Sequence, residues 1–294
     1  MNLRPNTLDE IIGQEQAKKQ LRISIEACKV NKTVMKHCLF SGPFGTGKTT
    51  LAESMANELG KSIEIINGSN LRTIKGLLPC LARIKSGSIL FCDEVHKASP
   101  IVQTYLLTVI EKFQYTLGTD KESITLDLPE FCFIGATTNI GPLLDPLVNR
   151  FTYHYKLSLY TIPELAQIIF NACPKIGLDI PLEFCTIVAA TCRGTPRTAI
   201  NRLNWLYDYA SAKRLGKLSK ANILECLEIG GIGLTGLEAD DIKYISKLKL
   251  LQPAGLSTMA SATNIDEETI EKSIEPFLIQ KGLIKKTGKG RVLC

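Results

Sequence analysis

The sequence predicts an α/β parallel-sheet domain over residues 1–158, an all-α domain over 159–233 and a winged helix over 234–294. Three observations carry this reading. The N-terminal half alternates short apolar bursts, HCLF (37–40), SIEIIN (62–67), SILFCDE (88–94) and FCFIGATT (131–138), with segments of helical period such as TLAESMANELG and SPIVQTYLLTVIEKF. Strands separated by helices make a parallel sheet covered on both faces. After Thr161 the strand bursts stop, and helical segments follow at PELAQIIFNACP, LEFCTIVAATC, PRTAINRLNWLYDYASAKR and SKANILECLEIG. GGIGLTG (230–236) reads as a linker. Beyond it, three short helical patterns precede LIKKTGKGRVLC, a ribbon with a tight glycine turn. That order is the order of a winged helix.

Composition narrows the class. With 294 residues, 45% hydrophobic and 22% charged, the chain falls among globular proteins and not disordered ones. No apolar run approaches the ~20 residues of a membrane span. MNLRPNTLDE lacks the character of a signal peptide, so a cytoplasmic protein is expected. None of the ten cysteines forms a Cys-x-x-Cys pair, and Cys92 and Cys132 sit inside apolar runs. They read as core residues of a reducing compartment. A net charge of +6 is mild, so only its distribution can speak about nucleic acid.

GPFGTGKTT (42–50) fits G-x-x-x-x-G-K-[ST] through Gly42, Gly47, Lys48 and Thr49, after an apolar strand and before a helix. Glycines let backbone N–H groups curl around phosphate oxygens, and the helix N-terminus adds its positive end. Lys48 would reach the β- and γ-phosphates of ATP, and the Thr49 hydroxyl would hold Mg²⁺. In ILFCDEVH (89–96), Asp93 and Glu94 fall at the C-terminal edge of a buried strand. Asp93 would steady Mg²⁺ through water, and Glu94 would polarise the attacking water as general base.

Three further positions extend the set. FIGATTN (133–139) ends a strand in small polar residues, where Thr138, or Thr137, could orient the water. Arg150 stands where a helix gives way to a strand and could face a neighbouring subunit, although an exposed arginine is more often only solvated. Arg197 lies in the first turn of a helix with Thr195 as its cap and Pro196 at its first position. A cation there opposes the helix dipole by about 0.3–1 kcal/mol, a cost that a nearby phosphate would offset.

In this order RPNTLDEIIGQE (4–15), GPFGTGKTT, ILFCDEVH, GATTN, PLVNRF, LYTIPEL, RGTPR and EPFLIQKGLIKKTGKGRV resemble the RuvB family of AAA+ ATPases over nearly the whole chain. Members of that family are motors of Holliday-junction branch migration. The resemblance implies an AAA+ P-loop sheet domain, a helical lid and a winged helix. It also implies an ATP-hydrolysing DNA helicase or translocase of homologous recombination and repair. Such a protein works as a hexameric ring on double-stranded DNA and four-way junctions.

Residue by residue, Gly45, Lys48, Thr49 and Thr50 look like phosphate and Mg²⁺ binders. Leu3, Arg4 and Tyr160 look like the adenine surroundings, and Glu111, Lys112 and Phe113 match a segment near the nucleotide. Thr138 is similar to sensor 1, Arg197 to sensor 2, and Arg150 to the arginine finger that reaches the next subunit's ATP. The chain departs from the family at Val148, where a second arginine is usual. Its hairpin 113–128 looks shorter, with Gly118, Thr119 and Asp120 as the expected turn and a charged DKES tip. That element grips the junction-binding partner RuvA in the family, so weak binding to RuvA is expected.

The terminal domain carries its own charge pattern. Asp266, Glu267, Glu268, Glu271 and Glu275 stand against Lys272, which makes a poor reader of the major groove. The ribbon after them carries Lys285, Lys286, Lys289 and Arg291 without an acid. Lys286, Lys289 and Arg291 are therefore predicted to touch DNA phosphates without reading bases. Lysines stand at 286 and 289 where the family has arginines, which keeps charge and loses bidentate geometry. Two rival readings stay open at this point. One is an ATP-gated loader, against which Asn149, Arg150 and Phe151 stand in place of Ser-Arg-Cys; the other is an initiator-like DNA-binding switch with little turnover.

Overall fold

The computed structural model describes residues 3–119 and 122–294. Strands β1 (Cys38–Ser41), β2 (Ile63–Asn67), β3 (Ile89–Asp93), β4 (Gln114–Thr119), β5 (Glu122–Asp127), β6 (Cys132–Thr137) and β7 (Tyr153–Lys156) occupy the N-terminal half. Helices α1 (Glu15–Asn31), α2 (Lys48–Leu59), α3 (Leu78–Leu81), α4 (Pro100–Lys112) and α5 (Asp145–Val148) lie between them. Five strands form one parallel sheet in the order β2-β3-β6-β1-β7.

Alternation along each strand explains why both faces are apolar. Cys38 and Phe40 of β1, Ile89 and Phe91 of β3, and Cys132 and Ile134 of β6 join one core with α1 and α2. The residues between them, Leu39, Leu90, Cys92 and Phe133, join a second core with α4. Successive side chains point to opposite faces, so a strand sandwiched between helices must be apolar at every position. Phe91 and Phe133 are fully buried; each contributes about 1.5–3 kcal/mol from area removed from water.

By its contacts the chain forms two compact units. One comprises Arg4–Gly42 and Gly47–Ser158; the other comprises Leu3, Pro43–Thr46 and Leu159–Cys294. In the second unit α6 (Ile162–Ala172), α7 (Leu182–Ala190), α8 (Pro196–Lys213) and α9 (Lys220–Ile229) bury Leu165, Ile169, Val188, Leu203 and Ile223 in one core. Thr161 starts α6 with a reciprocal capping box to Glu164, and Thr195 caps α8. Helices α10 (Ala239–Leu251) and α11 (Leu256–Thr263) follow. The next helical run holds α12 (Glu267–Thr269), a π turn at Ile270–Ile274 and α13 (Glu275–Gln280). It leads into the antiparallel ribbon of β8 (Ile284–Thr287) and β9 (Gly290–Leu293). Tyr244, Leu248, Met259, Ile270 and Phe277 fill the winged-helix core.

GGIGLTG joins the lid to the winged helix, with Ile232 buried in the lid core and Leu237, the residue after the segment, packed on the winged-helix core. One expectation needs correction. In the hairpin β4–β5, Gly118 pairs with Ser123 and Thr119 with Glu122, so strand structure runs through two residues of the expected turn. Asp120 and Lys121, part of the DKES tip, lie outside the described residues. Tyr115, Phe113 and Leu128 pack on the sheet domain's core, whereas Ile124 is 65% exposed and Leu126 39%. All ten cysteines are free thiols. No helix among the described residues is long and apolar enough to cross a membrane.

Candidate active site

The carboxyl ends of β1, β3 and β6 meet at one edge of the sheet, where Ser41 pairs with Thr137 and Cys92 with Gly135. This edge is where open α/β sheets bind ligands. Gly42 leaves β1 with φ +150, and a Cβ there would lie 2.3 Å from the Leu157 carbonyl oxygen, so only glycine fits. Gly47 caps α2 at φ 94. The Lys48 ammonium donates to the Gly42 carbonyl at 2.9 Å and is 6% exposed, so it lies inside the loop. Thr49 and Thr50 follow in the first turn of α2, both partly buried.

At the end of β3, Asp93 Oδ1 accepts the Glu94 backbone N–H at 3.0 Å. Glu94 itself sits in the left-handed region at φ 49, an uncommon conformation for a residue with a Cβ. Its side chain is 12% exposed. Thr138 Oγ1 donates to Glu94 Oε2 at 3.2 Å, and His96 Nε2 lies 3.3 Å from the same oxygen. His96 Nδ1 is 2.8 Å from Thr137 Oγ1, and Thr137 in turn donates to the Asn139 carbonyl at 2.6 Å. The two threonines therefore divide: Thr138 faces the carboxylate, and fully buried Thr137 anchors His96.

Arg150 follows α5 and pairs with Glu111 in the last turn of α4, with side chains 43% and 36% exposed. Of the segment 111–113, Phe113 turns inward, its ring 5.7 Å from Phe131. Lys112 is exposed. Arg4 is 61% exposed and pairs with Glu53 of α2 at 3.0 Å.

The second unit holds the other nucleotide candidates. The Arg197 guanidinium lies 4.0 Å over the Phe44 ring, and the Tyr160 hydroxyl donates to the Thr46 carbonyl at 3.4 Å. Gly45 lies between Phe44 and Thr46 at φ 77. Leu3 packs on the lid core. Phe44 carries no signal in the sequence, being the second of the four variable positions of the loop motif.

The ribbon's cations are less free than their sequence suggests. Glu275 is fully buried. It accepts from Arg291 Nε at 2.7 Å and from the Tyr244 hydroxyl at 2.9 Å, and it pairs with Lys286 Nζ at 2.7 Å. Burial alone would raise its pKa, but hydrogen bonds from Arg291, Lys286 and Tyr244 outweigh that and hold the carboxyl below the usual range. The Arg291 side chain is 15% exposed. Glu275 is thus no part of a solvated acidic face. Lys285 and Lys289 remain exposed.

A sheet edge with a glycine-rich lysine loop and an Asp-Glu strand end, followed by a helical lid and a winged helix, defines a P-loop ATPase of the AAA+ class. The chain belongs to the RuvB family. Residues 3–157 match the profile of the Holliday junction DNA helicase RuvB P-loop domain, 160–232 the RuvB AAA lid domain and 234–294 the RuvB C-terminal winged helix domain. It is 39% identical over 299 residues to the Holliday junction branch migration complex subunit RuvB of a Nitratiruptor species, covering 99% of this chain and 88% of the relative. The protein of the same name from Campylobacter fetus subsp. fetus is 38% identical, covering 100% and 87%. The solved Thermotoga maritima RuvB Holliday junction branch migration motor superposes with a TM-score of 0.91 at 33% identity, over 99% of this chain and 95% of that one.

Proposed function

We propose that this protein is an ATP-hydrolysing motor that drives branch migration of Holliday junctions in recombination and repair, acting as a hexameric ring on duplex DNA. The observation that supports this most is the Glu94 carboxylate, hydrogen-bonded by Thr138 at the sheet edge that also carries the Lys48 loop. The residues fit ATP with Mg²⁺: a loop of left-handed glycines at a helix N-terminus suits phosphates, and the Thr49 hydroxyl and Asp93 carboxylate are hard oxygen donors. When bound, the magnesium ion offsets charge on the phosphate oxygens. Lys48 binds phosphate. Glu94 takes the proton of the attacking water, and Thr138 holds that carboxylate in one orientation. Arg150 would act on the next subunit's nucleotide. Arg197 would act as sensor 2, and Leu3, Arg4 and Tyr160 would surround the adenine.

At the DNA end, exposed Lys289 and Lys285 would meet phosphates, Lys286 would divide its charge with Glu275, and Arg291 would hold the ribbon's shape. The hairpin leaves Ile124 and Leu126 exposed, a strip for a dedicated loading partner, while binding to a standard RuvA stays weak. Steady-state ATP hydrolysis with and without duplex DNA tests this reading. Stimulation by DNA is expected; binding of ATP without turnover would favour the switch.

A further inference from the structure

The first arginine of RGTPR, Arg193, is held by three elements of the winged helix. Arg193 sits at φ 54, a left-handed conformation that a non-glycine residue holds only where its surroundings over-determine it. Its guanidinium pairs with Asp241 of α10, with a second bond from Nη2 to Asp241 Oδ1 at 3.1 Å. Nη2 also donates to the Ser273 carbonyl in the π turn at 2.9 Å. The same group lies 4.5 Å over the Phe277 ring of α13. The Arg193 side chain is 10% exposed and that of Asp241 1%.

Asp241 is itself fixed. Its Oδ2 accepts the Glu238 N–H at 2.8 Å, closing the N-terminus of α10, and Glu238 accepts from Arg202 of α8 at 2.8 Å. One residue on, a Cβ at Gly194 would lie 2.8 Å from Gln280 Oε1, and the Gly194 carbonyl accepts the Tyr160 N–H at 2.8 Å. Thr195 then caps α8, and Arg197, in the first turn of that helix, stacks on Phe44. Three elements of the winged helix therefore close on a single turn. The same turn delivers Arg197 to the loop residues Pro43–Thr46.

We propose that Arg193 is a positioning residue that ties the winged helix to the Arg197 turn, so that DNA contact at one is transmitted to the nucleotide contact at the other. This rests on the ATP-driven DNA motor reading above. A planar fork that bonds two acceptors and stacks on a ring cannot be replaced by an ammonium.

The test uses the full chain in two arms. Arg193→Lys keeps the buried charge balance and loses the fork and the stack. The pair Arg193→Met with Asp241→Leu removes both buried charges and guards against misfolding. In calorimetry, wild-type lid and winged helix should melt in one transition, and both variants should split it into two. In the ATPase assay both variants should bind ATP and hydrolyse it within about twofold of the wild-type basal rate, while stimulation by duplex DNA falls by about tenfold or more. A single unchanged transition, or undiminished stimulation in a folded variant, would overturn the proposal. Should the wild type hydrolyse no ATP, the motor reading fails, and the calorimetric arm still decides whether Arg193 couples the two domains.

Discussion

His96 Nε2 lies 3.3 Å from Glu94 Oε2, the same oxygen that accepts the Thr138 hydroxyl. The carboxylate proposed as general base is therefore bonded by Thr138 and bordered by the His96 ring. Glu94→Gln should keep ATP binding and stop turnover, because the carboxylate acts only on water in the transition state. His96→Phe should lower kcat by about a hundredfold, the order expected when a catalytic group is misplaced by about an ångström. ATP affinity should not change, and His96→Gln should recover part of the loss. A fluorescent ATP analogue gives the affinity, and phosphate release gives kcat. Equal loss of affinity and turnover in His96→Phe would mean the residue is only structural.

Glu111 orients Arg150 on the exposed surface after α5. Arg150→Ala should leave ATP affinity nearly unchanged and cut hydrolysis on the order of 10³-fold. Glu111→Ala should cut it less, since the charge of Arg150 remains. Mixing Arg150→Ala with Glu94→Gln subunits should restore activity, as some interfaces then combine an intact finger with an intact base. No rescue at any mixing ratio would contradict action between subunits.

The ribbon separates two kinds of cation. Lys289→Ala should weaken binding to all duplex sequences alike and reduce the slope of log K against log salt by about one. Arg291→Ala should instead destabilise the winged helix by about 3 kcal/mol, because it leaves the buried Glu275 short of a partner. Thermal unfolding and salt titrations of the two variants give both readouts.

Acid should reveal the same carboxylate. The folded pKa of Glu275 is depressed below the ordinary 4.5, so its contribution to stability is present above that pH and lost as pH falls through the folded value. Unfolding of the winged helix followed from about pH 6 to about pH 3 should show a drop in the wild type below about pH 4.5. Glu275→Gln should be less stable at neutral pH and nearly flat across that window.

The sheet was legible because period-two alternation writes both cores into each strand, as Leu39 and Phe40 show by entering opposite faces. Lys48, Asp93, Glu94 and Thr138 were legible because parallel strands deliver their carboxyl ends to one edge. Glu275 was not: its partners Arg291, Lys286 and Tyr244 meet it only in the folded winged helix, and locally it continues an acidic run. Arg193 was hidden for the same reason, its acceptors lying 48 and 80 residues further along the chain. His96 carries no signal within DEVH, since its approach to Glu94 forms only in the fold, where the Glu94 backbone is left-handed.

Branch migration itself tests the central claim most directly. A synthetic four-way junction with homologous, mobile arms and one labelled strand is incubated with the protein, ATP and Mg²⁺, with and without a bacterial RuvA. Wild type should convert it to duplex products, while a junction with non-homologous, fixed arms, a non-hydrolysable ATP analogue and the Glu94→Gln variant should each yield none. Hydrolysis of ATP without junction movement under either condition, or equal movement by Glu94→Gln, would contradict the account.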